Sequence, residues 1–142
     1  MKLYADEPGA AEMTIRGPMV VSCLSRVEVP AAFWRKSRSG ELDPIAAADL
    51  TADFEADYYG DGAQAARFLA IGLPDAVLTE AARVAASRGL RAYDAVQLAS
   101  ARAARAADPG CSSFACFDLA LRRAAAVDGF DVIPGQDASI AR

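Results

Sequence analysis

Gly89-Leu90-Arg91-Ala92-Tyr93-Asp94-Ala95-Val96-Gln97-Leu98-Ala99-Ser100-Ala101 is the stretch on which the reading of the fold turns. Its spacing predicts a helix from about Leu90 to about Ala106, with Leu90, Asp94, Leu98 and Ala101 on one stripe of a 3.6-residue period. A core-facing stripe with a carboxylate in its first turn has two explanations. An early Asp satisfies free backbone N–H groups and complements the helix dipole. Acids held against their electrostatic preference also mark functional sites. This helix alone leaves the choice open, and the rest of the chain bears on it.

Just upstream, Pro74 opens a helix through Ser87, and Arg67–Leu73 before it reads as a strand. On the other side, Asp108-Pro109-Gly110 ends the helix. A short strand at Ser113–Phe117, a helix over Leu119–Val127, a stop at Gly129 and a last strand at Asp131–Ile133 follow, before a polar tail. Towards the start, Met19–Cys23 reads as a buried strand. A helix from Ser25 to Arg38 ends near Gly40, another runs from Leu42 to about Tyr59, and Gly60-Asp61-Gly62 is a turn. A turn at Asp6-Glu7-Pro8-Gly9 and a short helix from about Ala10 to Ile15 open the chain. Strands alternating with helices predict an α/β fold with a parallel sheet, without internal repeat, linker or second domain.

The 142 residues, 54% hydrophobic and 24% charged, suit one helix-rich soluble domain with its own core. No apolar run is long enough to span a bilayer and no signal-peptide pattern opens the chain, so the expected location is cytoplasmic, with no membrane partner. The net charge of −4 supplies no whole-molecule attraction for nucleic acid. Cys23, Cys111 and Cys116 form no C-x-x-C pair and read as small core residues in a reducing compartment. Histidine is absent, which excludes Ser-His-Asp and Cys-His triads, histidine acid–base catalysis and histidine-containing zinc sites. Carboxylates holding a hard cation are the catalytic tool that remains.

Two further acids stand beside predicted strands. Asp118 follows one strand and precedes a helix, where an N-cap sits. Glu28 stands three residues after Ser25, in the spacing of a capping box, with Pro30 just inside the same helix. Each acid thus has a structural explanation. Together, Glu28 and Asp118 lie past the carboxyl ends of strands and Asp94 at the start of a helix, and that edge of an open α/β sheet is where ligands bind. Three carboxylates converging there would raise one another's pKa unless a cation neutralised them, and oxygen-only ligands favour Mg²⁺ or Mn²⁺.

Three segments carry a resemblance: Ser22-Cys23-Leu24-Ser25-Arg26-Val27-Glu28-Val29-Pro30-Ala31-Ala32, Leu90–Ala99 around Asp94, and Phe114-Ala115-Cys116-Phe117-Asp118-Leu119-Ala120-Leu121. Jointly and in this order they resemble PIN-domain proteins of the VapC type, the toxin half of VapBC toxin–antitoxin pairs. The resemblance runs over essentially the whole chain. It implies an α/β/α sandwich with a mainly parallel central sheet, and a Mg²⁺- or Mn²⁺-dependent endoribonuclease that hydrolyses RNA phosphodiesters. It assigns Glu28, Asp94 and Asp118 as catalytic residues and metal ligands, with Asp94 and Asp118 as direct or water-bridged ligands and Glu28 completing the shell or orienting the attacking water. It also implies a VapB-like antitoxin, and a homodimer or a toxin–antitoxin hetero-oligomer.

Two departures from the family pattern stand out. Cys116 occupies a place usually held by Ser or Thr, which would weaken a hydrogen bond to water or to a neighbouring acid. The family's opening strand and its first acid have no counterpart, because Met1-Lys2-Leu3-Tyr4 matches only the end of that strand pattern. An upstream start would supply both. The alternative is a catalytically inactive PIN fold that binds an antitoxin, and Asp6 and Glu7 are poorly placed to compensate. Arg35, Lys36, Arg38, Arg102, Arg105, Arg122 and Arg123 could guide an RNA backbone, but for any one of them an ordinary solvated face is the default reading, since only a clustered stripe counts as an electrostatic footprint.

Overall fold

Local chemistry sets the helix ends in the computed structural model, which describes residues 19–134. The turn at Asp6–Gly9, the helix expected from Ala10 to Ile15, Asp6 and Glu7 themselves and the polar tail all lie outside the described residues. Those described form five helices and four short strands in alternating blocks, so the fold is α/β. The elements are β1 (Met19–Ser22), α1 (Ser25–Arg38), α2 (Pro44–Tyr59), β2 (Phe68–Ile71), α3 (Asp75–Arg88), α4 (Ala92–Ala107), β3 (Ser113–Ala115), α5 (Leu119–Val127) and β4 (Asp131–Ile133). Among the described residues the strands pair two by two, β1 with β2 and β3 with β4.

The starts of α2 and α4, and the cap expected for α1, differ from the sequence expectation, each for a local reason. α2 starts at Pro44 rather than Leu42, because the Asp43 carboxylate accepts from the Ile45 N–H at 2.8 Å and the Ala46 N–H at 3.4 Å, and Pro44 occupies the first turn, where no N–H is needed. α1 begins at Ser25 with Leu24 in the N-cap position, so Ser25 is one residue too far in for a capping box with Glu28. α4 begins at Ala92. Gly89 closes α3 in the left-handed region (φ +64°), Arg91 is extended at the N-cap, and Leu90 is buried from the connection between the helices rather than from the helix itself.

The contacts define two compact units. One comprises Met19 and Cys23–Ala70. In it α1 packs against α2, with Ala32, Phe33, Ala47, Phe54 and Phe68 buried. The Phe54 ring lies 5.9 Å from that of Phe68 and 5.7 Å from that of Tyr58. The basic side chains Arg35, Lys36 and Arg38 fall in the last turn of α1, where they complement the helix dipole.

The other unit comprises Val20–Ser22 and residues 71–134. α3 presents Val77, Ala81 and Val84, at i, i+4 and i+7, to Ala95, Leu98 and Ala99 of α4 in one buried cluster. Leu121, Ala124 and Ala125 of α5 and Phe130 complete that cluster, and Cys116 packs against it from the side. β3 and β4 run parallel, with Ser113 opposite Asp131, Phe114 opposite Val132 and Ala115 opposite Ile133. All three cysteines are partly buried free thiols.

Candidate functional site

Because β3 and β4 are parallel, their carboxyl ends leave the ladder on the same side. The ladder continues one bond further, where the Cys116 N–H donates to the Ile133 carbonyl at 3.1 Å. Cys116, Phe117 and Asp118 then carry the chain from β3 into α5.

Asp118 caps α5. Its Oδ1 accepts from the Ala120 and Leu121 N–H groups, both at 2.9 Å. The capping explanation for this residue therefore holds, and it is compatible with a second role. Both cap bonds go to Oδ1, so Oδ2 takes no part in the cap.

Asp94 sits in the first turn of α4, half-buried. Burial raises its pKa above the ordinary Asp value, the negative charge of Asp118 raises it further, and the Arg91 guanidinium acts in the opposite direction. Two acids from separate elements thus act on each other at the carboxyl side of the β3–β4 ladder. Cys116 belongs to the same cluster. Burial pushes its thiol up to about 11, the Arg122 charge opposes this, and Asp118 and Asp94 add to it. At neutral pH Cys116 is a protonated thiol. Its sulfur lies 3.9 Å from the Asp118 carbonyl oxygen, a weak contact compared with one from a hydroxyl.

Of the three acids picked out in the sequence, the structure brings Asp94 and Asp118 together in one unit. Glu28 stands in the first turn of α1, which belongs to the other unit. Among the described residues no three Asp, Glu or Cys side chains gather closely enough to enclose a cation. The donor chemistry of Asp94 and Asp118 nonetheless suits Mg²⁺ or Mn²⁺. Mg²⁺ keeps several waters and is commonly held by one or two carboxylates plus substrate phosphate, and a cation between two acids would relieve the repulsion that Asp94 registers.

Three of the arginines singled out as RNA guides are engaged in the fold. Arg102 pairs with Asp128 and Glu80. Arg105 donates to the Asp128 carbonyl at 2.9 Å and lies over the Phe130 ring at 3.9 Å. Arg122 donates to the Cys116 carbonyl at 2.8 Å and to that of Pro134. Arg91 was not singled out in the sequence, yet its charge acts on Asp94. Its position just before the acid's helix was the one available signal. No protein-family model, no curated protein and no solved structure matches the chain.

Proposed function

We propose that this chain is a PIN-like endoribonuclease of the VapC type, a toxin that hydrolyses RNA phosphodiesters with Mg²⁺ or Mn²⁺ held by Asp94 and Asp118. The observation that carries the reading is the electrostatic opposition of these two acids. Burial of Asp94 and the nearby negative charge of Asp118 both disfavour its ionised form, which a cation would relieve, and the two acids stand on the carboxyl side of a parallel ladder, where ligands bind in α/β folds.

In this reading a divalent cation supplies positive charge to screen the phosphate and to acidify a water for attack. The chain's own part is to hold the carboxylates. Asp118 is oriented through its Oδ1 cap bonds, which leave Oδ2 for the ligand. Asp94 is carried by the first turn of α4. Glu28 is assigned its role, completing the metal shell or orienting the attacking water, from the resemblance alone. An RNA substrate, a VapB-like antitoxin, a cytoplasmic location and a homodimer or toxin–antitoxin hetero-oligomer belong to the same proposal. No helix among the described residues is long and apolar enough to cross a membrane.

Mn²⁺ calorimetry and RNA cleavage on the chain and on Asp94→Asn/Asp118→Asn test the proposal together. The expected result is Mn²⁺ binding and Mn²⁺-dependent cleavage by the wild type, both lost in the double variant. Unchanged Mn²⁺ affinity in the double variant would make these acids helix-terminal residues and nothing more. A chain that captures an antitoxin but cleaves no RNA would be the catalytically inactive PIN fold instead.

A further inference from the structure

Arg122 lies in the second turn of α5, and its main-chain N–H donates to the Asp118 carbonyl at 2.9 Å. Its side chain turns back past the start of the helix. Nη1 donates to the Cys116 carbonyl at 2.8 Å, and Nη2 donates to the Pro134 carbonyl. Cys116 is the first residue after β3, and Pro134 the first after β4. One guanidinium therefore spans the exits of both strands, while the backbone of the same residue holds Asp118. The three-residue segment from Cys116 to Asp118 is anchored at each end by Arg122.

We infer that Arg122 is a positioning residue for the Asp94–Asp118 pair: by bridging the Cys116 and Pro134 carbonyls it holds the 116–118 segment, so that Asp118 keeps its carboxylate at the start of α5 and beside Asp94. The functional meaning of this rests on the carboxylate-pair reading above. The physical basis is the shape of the guanidinium. Its planar fork presents N–H groups in two directions and can satisfy two carbonyls at once, whereas a lysine ammonium on a flexible stem acts as a point charge. Both side-chain bonds of Arg122 end on main-chain carbonyls, so its effect on the carboxylates passes through the backbone it holds.

Hydrogen exchange and Mn²⁺ titration on the full chain, with Arg122→Lys and Arg122→Gln, test this. The Ala120 and Leu121 amides report directly on the Asp118 cap, and the Leu98 and Ala99 amides report on the core of α4. Both variants should exchange roughly tenfold faster or more at Ala120 and Leu121, with Leu98 and Ala99 unchanged, and should bind Mn²⁺ about tenfold more weakly, at the lower end of the losses seen when groups supporting a metal ligand are removed. Wild-type exchange and affinity in Arg122→Lys would overturn the inference, because charge without the bridge would then suffice. Equal acceleration at all four amides would also overturn it, because Arg122 would then support the whole fold and no particular segment. If the wild type binds no Mn²⁺, the metal reading fails by itself, and exchange at Ala120 and Leu121 still decides the role of Arg122.

Discussion

Arg102 and Asp128 meet through two side-by-side hydrogen bonds, Nε to Oδ2 at 2.7 Å and Nη2 to Oδ1 at 2.6 Å. The pair joins the middle of α4 to the residue that closes α5. Arg88, from the end of α3, adds a bond to Asp128 Oδ1 at 2.9 Å, and Glu80 of α3 accepts from Arg102 as well. Only 6% of the Asp128 side chain is exposed, while the two arginines keep about a third of theirs, so the carboxylate is covered in a partly buried junction of three helices.

Asp128→Asn should therefore destabilise the chain by about 2–3 kcal/mol, since it leaves arginines facing an amide that cannot replace the carboxylate. The loss should also be pH-dependent. Burial disfavours ionised Asp128, but the hydrogen bonds and charges of Arg102 and Arg88 outweigh it and hold the pKa below the ordinary 3.8. A carboxylate with a lowered folded-state pKa contributes stability that is present above the unfolded value and is lost as the pH falls through the folded one. Urea midpoints for wild type and variant should be well separated at neutral pH and converge on acidification below the ordinary Asp range. A constant separation down to the most acid pH tested would show that the arginines do not hold Asp128 ionised.

The sign reverses at Asp94. Its folded-state pKa lies above the unfolded value, so its contribution is most favourable below the unfolded pKa and diminishes as the pH rises through the folded one. Asp94→Asn should raise the melting temperature at neutral pH, with the gain shrinking on acidification, while the Mn²⁺ affinity proposed for the site falls. A melting temperature lowered at neutral pH would mean that dipole and backbone interactions of a first-turn Asp dominate here, and that the crowding by Asp118 is minor.

Asp118→Asn separates charge from cap. Asn retains a side-chain oxygen and caps helices about as well as Asp, so stability should change by less than about 1 kcal/mol. The charge that raises the Asp94 pKa disappears, and the Asp94 carboxyl resonance should titrate at lower pH than in the wild type, while still held up by burial. An unmoved Asp94 titration would mean the two acids are not coupled.

Gly60→Ala tests the other unit. Gly60 closes α2 at φ +78°, and a Cβ there would meet the Gln64 carbonyl oxygen at 2.7 Å, with backbone rather than a flexible side chain in the way. Asp61 Oδ1 pins the same turn through the Ala63 and Gln64 N–H groups at 2.9 and 2.7 Å, which restricts its room to shift. The cost should be about 1–3 kcal/mol of unfolding free energy. A wild-type urea midpoint would rule out this turn geometry.

What the sequence determined by itself is what local physics controls. Alternating apolar runs and breakers placed the described elements, and the capping preference of Asp118 and the left-handed freedom of Gly89 acted on near neighbours. The boundaries it missed, at Leu42 and Leu90, were positions where a neighbouring cap or turn outweighed apolar spacing. The absence of histidine narrows the chemistry open to this chain whatever its fold. Only the tertiary structure decided which charges meet. Arg102, Arg105 and Arg122 read in sequence as candidate RNA guides or members of a solvated face, and folding sets them against Asp128, Phe130 and the strand-exit carbonyls. Asp94 and Asp118 each have a sufficient local explanation, and their mutual repulsion exists only because α4 and the exit of β3 come together in one packed unit. Coulomb energy and desolvation depend on distance and burial in space, and neither quantity is carried by residue order.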